Sequence, residues 1–158
     1  MNKATVTTRP GEPFVVIERD FDAPRDKVFR AFTEKELVKR WWVGPGYEVS
    51  VELLDARDGG AWRFVQRDKD GKTFAFHGSF HRVSPELTIQ TFEFDGMPEP
   101  GHVSLDKMML TEKDGKTHMR VESVFMSVAD RDGMIASGME EGMQHTYNTL
   151  DDVLKEMA

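Results

Sequence analysis

The chain has 158 residues, 28 of them acidic against 21 basic, and a formal net charge of −7. That length suits one domain with a real core, and the acidic balance argues against a nucleic-acid partner, which needs a basic surface. Without cysteine, disulfides and thiol catalysis are both excluded.

Residues 1–12 read as a flexible lead-in and residues 13–158 as a single domain. No apolar run approaches the ~20 residues of a membrane span, and residues 1–13 lack the apolar stretch of a secretory signal. A cytoplasmic protein with no membrane insertion is expected. Residues 14–21 read as a first strand, bounded by Pro13 and by Asp22, Ala23 and Pro24. Pro24 suits the first turn of a helix, and Val28, Phe29 and Phe32 recur at helical spacing, predicting a short helix over 24–33. Thr33 is expected to cap a second, with Glu36 at the capping-box position, over 34–40. Trp41 and Trp42 follow, then a Gly44-Pro45-Gly46 turn. Two readings of the indoles stand together: one anchors the short helices against a sheet, and the other lines the mouth of a cavity.

From Tyr47 the apolar period becomes two. Tyr47, Val49, Val51 and Leu53 share a face; so do Trp62, Phe64 and Gln66, with Arg63, Val65 and Arg67 opposite. Asp58-Gly59-Gly60 is a turn, and Asp68 to Gly71 a hairpin loop. A long strand over 73–83 places Phe74, Phe76, Gly78 and Phe80 on one face and His77, Ser79 and His81 on the other. Strands at 87–94, 103–111 and 116–126 complete the series. Sequential hairpins imply an antiparallel sheet, here of six to seven strands.

Residues 130–157 carry the strongest periodicity. Ile135, Met139, Met143, Thr146, Tyr147, Leu150, Val153, Leu154 and Met157 fall on one face, and Glu140, Glu141, Gln144, Asn148, Asp151, Asp152 and Lys155 on the other. One long amphipathic helix is predicted, with Asp130 as N-cap and a length of about 40 Å at ~1.5 Å per residue. Gly133, Gly138 and Gly142 each weaken it by about 1 kcal/mol relative to Ala. Gly138 and Gly142, one turn apart, mark either close approach to the sheet or room for a ligand. Only this helix is long enough to cover the apolar face of the sheet. The fold class is therefore α+β, a curved antiparallel sheet gripping a C-terminal helix, with two short helices after the first strand.

Motifs that carry chemistry are few. His77 and His81 share a strand face but stand about 13 Å apart at ~3.3 Å per residue, too far to share a metal ion. No HExxH, calcium loop, GxSxG or phosphate-binding Gly loop is present, so no metal, cofactor or catalytic set is expected. Eleven Phe, three Trp and ten Met can line an adaptable apolar cavity. The candidates are Trp41, Trp62, Phe64, Phe76, Phe92, Met109, Met139, Gly142, Met143 and Tyr147, with Arg63 and His145 as polar orienters. Glu93 and Glu122 are further charges in strands. Each assignment depends on strand parity, because a one-residue slip moves a whole set to the other face.

Residues 14–21 followed by Asp22-Ala23-Pro24, then Val28-Phe29-Arg30-Ala31-Phe32-Thr33 and Trp41-Trp42-Val43-Gly44-Pro45, resemble the opening of the family named for homology to the activator of the heat-shock-protein-90 ATPase. Asp58 to Phe64, His77-Gly78 before Ser84-Pro85-Glu86-Leu87, and residues 142–154 continue the match over nearly the whole chain. The resemblance implies the START-like, or SRPBCC, helix-grip fold, with a deep apolar cavity between sheet and C-terminal helix. Superfamily members bind hydrophobic molecules and some are enzymes, and the leading expectation for this chain is a binder of a small hydrophobic ligand (lipid, aromatic or polyketide-like) rather than an enzyme. A cyclase or hydrolase using the same cavity is an alternative. So is a co-chaperone-like module engaging a chaperone or a second copy of the chain, as in a stress response.

Overall fold

The computed structural model describes residues 2–157. In chain order the elements are β1 (Thr5–Thr7), β2 (Phe14–Phe21), α1 (Arg25–Thr33), α2 (Lys35–Trp41), β3 (Glu48–Leu54), β4 (Ala61–Arg67), β5 (Thr73–Val83), β6 (Leu87–Phe94), β7 (Val103–Lys113), β8 (Lys116–Phe125), α3 (Val128–Ala136) and α4 (Met139–Glu156). The strands form one antiparallel sheet in the order β1-β2-β8-β7-β6-β5-β4-β3. This is the expected helix-grip architecture, with the helices on the concave face.

The sheet has eight strands, not six or seven. The additional one, β1, lies inside the lead-in and pairs with β2 from Thr5↔Glu18 to Thr7↔Val16. Three residues carry no legible alternation, and their pairing is fixed from outside. Gln144 of α4 brackets Ala4, its side-chain oxygen accepting from the Ala4 N–H at 3.1 Å and its amide donating to the Ala4 carbonyl at 2.7 Å.

The single C-terminal helix is two. Ser127, not Asp130, caps α3, its hydroxyl accepting from the Asp130 N–H. The chain then breaks at Gly138, which has φ +84°, a left-handed conformation that suits a residue without Cβ. The second short helix is capped differently too. Glu34 is its N-cap, while the Thr33 hydroxyl turns back to donate to the Phe29 carbonyl at 2.8 Å.

Concave-face residues follow the register. Across β2, β8, β7 and β6 one row runs Val15, Ser123, Asp106, Gln90, and the next Ile17, Val121, Met108, Thr88. A third brings Arg19, Met119 and Leu110 side by side. At this third row the sheet is tightly filled: Phe21, Val28, Ala31, Met119 and Leu150 are fully buried, with Trp41, Val153 and Leu154 beside them. The Trp41 indole donates to the Ala31 carbonyl at 2.8 Å, tying α2 to α1.

Arg19 is the largest fully buried side chain. It makes a bidentate pair with Asp151 at 2.7 and 2.9 Å, donates to Asn148 at 3.1 Å and reaches the Asn2 carbonyl at 3.1 Å. The polar face of α4 is thus not all solvated: Gln144, Asn148 and Asp151 hold the β1–β2 edge.

Candidate functional site

Toward the other end of α4 the filling stops. A cavity of about 450 Å³ lies between sheet and helices. Its roof is Met139, Gly142, Met143, Thr146 and Tyr147 of α4, with Met134 of α3. One side is Phe32, Val38, Trp41 and Trp42. The floor is Leu54, Trp62, Phe64, Gln66, Phe76, Phe80, Gln90, Phe92, Asp106, Met108 and Val121 from six successive strands of the sheet.

The sequence builds this floor by alternation and by two local adjustments. A register shift between Val51 and Leu53 turns Leu54 inward and leaves Leu53 exposed, so the face expected to hold Leu53 ends at Val51. At Gly78 a Cβ would run into the Thr91 carbonyl oxygen and the Trp62 indole. The missing side chain lets that indole lie across β5 and donate to the Thr91 carbonyl at 3.2 Å. Trp42 then meets Phe64 and Phe76 edge-on, at 5.0 and 5.2 Å between centroids, the preferred geometry for aromatic quadrupoles. These rings form a preshaped wall.

Nine of the expected lining residues come together here: Trp41, Trp62, Phe64, Phe76, Phe92, Met139, Gly142, Met143 and Tyr147. Three expected positions do not. Met109 points away, because the buried Leu110 sets the parity of β7 and brings Met108 and Asp106 inward instead. Arg63 lies on the convex face, held by Glu52 at 3.1 Å and Asp95 at 2.8 Å. His145 is exposed on α4 and does not line the cavity. Glu93 and Glu122 are also committed outside: Glu93 accepts from the Gly101 N–H at 2.6 Å, and Glu122 pairs with Arg120 at 3.0 Å.

The polar groups that do face the cavity are Gln66, Gln90, Asp106, Thr146 and Tyr147. Asp106 and Trp42 were not among the expected lining residues. The signal for Asp106 lies in β7 itself, since Ser104, Asp106, Met108 and Leu110 are spaced two apart and Leu110 is buried. Burial pushes the Asp106 carboxyl up, and hydrogen bonds from Ser123 and Ser104 only partly oppose it. Burial also pushes the Tyr147 hydroxyl up to about 12, with the Asp106 charge adding to the shift and Arg19 opposing it. The cavity lining contains no Lys, Arg or His. Among the described residues no cluster of His, Asp and Glu is arranged to hold a metal ion, and no helix is long and apolar enough to cross a membrane.

Solved structures share this architecture. A protein from Rhodobacter sphaeroides superposes with a TM-score of 0.89 at 22% identity, over 98% of this chain and 99% of its own. One from Arthrobacter aurescens gives 0.85 at 23%, over 98% and 92%. One from Staphylococcus epidermidis gives 0.81 at 24%, over 96% and 94%. At these identities the likeness is one of fold. Among curated proteins none matches the sequence. Residues 22–155 match the family model described as Activator of Hsp90 ATPase homolog 1-like protein, and the chain belongs to that family.

Proposed function

We propose that this member of the Activator of Hsp90 ATPase homolog 1-like family binds a small hydrophobic molecule, lipid, aromatic or polyketide-like, between its sheet and α4. The observation that carries the reading is the cavity of about 450 Å³ under a wall of Trp and Phe, the size and lining usual for small-molecule sites. A packed interior has no such space. The roof adds adaptability, because Met134, Met139 and Met143 supply flexible thioethers. At Gly142 an added Cβ would meet nothing within 4 Å.

The experiment is thermal denaturation with a panel of neutral apolar compounds, for the chain and for Gly142→Phe. A ligand at ~100 times its Kd stabilises by about 2.7 kcal/mol, which raises Tm by several degrees. The reading expects at least one compound to do so, and expects the larger side chain at position 142 to diminish the rise. A panel that leaves Tm unchanged throughout would sink it.

The family description supports a second, co-chaperone-like reading. The first turn of α4 presents Glu140 and Glu141, with Asp152 exposed about three turns on. Capture of the purified chaperone that is lost on charge reversal at these three positions would favour it. Capture that survives the reversal would move the contact elsewhere.

A further inference from the structure

The cavity is apolar almost throughout, yet one carboxyl faces it. Asp106 stands on the middle of the floor, with Gln90 beside it on β6 and Ser123 beside it on β8. Ser104, two residues away on the same strand face, donates to it at 3.3 Å. Tyr147 faces it from α4 and is close enough to feel its charge. The buried cations among the described residues are committed elsewhere, Arg19 to Asp151, Asn148 and backbone carbonyls, and Arg131 to Asp132 and the Phe14 and Arg9 carbonyls. An acid in apolar surroundings, without a basic partner, is costly to ionise. A ligand that brings a positive charge relieves that cost, and one that brings a second negative charge doubles it.

We propose that the cavity selects hydrophobic amines, through a charge-assisted hydrogen bond from the ligand's ammonium to the Asp106 carboxylate, and rejects hydrophobic carboxylates of the same shape. The inference rests on the ligand-binding reading and narrows it to one ligand class. Gln90 lies alongside as an amide that can accept a further ammonium N–H or donate to the carboxylate. The aromatic wall of Trp42, Trp62 and Phe76 takes the apolar body, and its ring faces favour a nearby cation. Fatty acids, the obvious apolar cargo, are disfavoured by the same carboxyl.

The test compares three probes of one skeleton: naphthylmethylamine, naphthalenemethanol and naphthoate. Binding is measured by calorimetry at neutral pH, to the chain and to Asp106→Asn, which keeps the shape but removes the charge. The expected order is amine, then alcohol, then carboxylate, with the amine about tenfold or more tighter than the alcohol, as hydrogen bonds to charged groups allow. In Asp106→Asn the amine falls to the level of the alcohol and the carboxylate improves. If the alcohol binds but the amine is no tighter, if the carboxylate binds best, or if the amine preference survives in Asp106→Asn, the inference is overturned while ligand binding stands. If none of the three binds while a compound of the thermal panel does, the inference falls and ligand binding stands; if nothing in either set binds, both fall. The ranking on the unsubstituted chain decides the matter even if Asp106→Asn does not fold.

Discussion

The two halves of α4 lie over the same sheet and do opposite things. From Leu150 to Met157 the helix is clamped: Leu150, Val153 and Leu154 are buried against Phe21, Val28 and Met119, and Asp151 holds the buried Arg19. From Met139 to Tyr147 it roofs a space, with methionines and a glycine where leucines and valines stand further on. The break at Gly138 separates this roof from α3. The chain thus places its stability at one end of the helix and its accommodation at the other. Rigid support beside a deformable roof lets a cavity persist without collapsing.

Substitutions at matched positions can break this contrast. The largest loss is expected for Asp151→Ala, which strands a fully buried guanidinium. It should cost about 3 kcal/mol or more, as for other broken buried pairs, read by urea denaturation. Leu150→Ala empties a filled site and should cost about 2–5 kcal/mol. Met143→Ala, on the roof, already borders open space and should cost less than ~2 kcal/mol; equal losses at 150 and 143 would dissolve the distinction. Gly142→Ala should go the other way, stabilising by about 1 kcal/mol through helix propensity alone, because its Cβ meets nothing within 4 Å.

A subtler difference is in pH. Burial raises the Asp106 carboxyl above its unfolded value, so the folded chain holds that proton more tightly than the unfolded one. The contribution is full below the ordinary carboxylate range and is lost as pH rises through the raised folded value. Asp106→Asn should remove that decline, so its stability relative to the parent should grow from acid to neutral pH. A constant difference across that range would show that Asp106 is ordinarily solvated.

Much of the frame was legible in the sequence. The bounds of β2 and β6, the two short helices and the inward face of β4 follow from alternation and turn chemistry, because each element contains its own signal. What escaped was decided elsewhere. β1 is three residues, and the Ala4 that leads into it is held by Gln144, 140 positions away. The break before α4 hides in a periodicity that α3 and α4 share across Gly138. Met109 was favoured over Met108 because two adjacent methionines offer no parity of their own; only the buried Leu110 resolves it. That slip concealed Asp106 as well. Arg63 and His145 illustrate the commoner fate of a charged residue on an amphipathic element, which is to face water.

The contrast between clamp and roof is most directly tested with methyl-labelled methionine. Met108, Met134, Met139 and Met143 line the cavity, whereas Met119 and Met157 belong to the packed core. Their methyl resonances would be followed by NMR during titration with naphthalenemethanol. The expected result is shifts and ligand-to-methyl NOEs for the four cavity methionines, with Met119 and Met157 unmoved. No shifts, or shifts confined to the exposed Met97 and Met126, would contradict the account and leave the cavity without a role in binding.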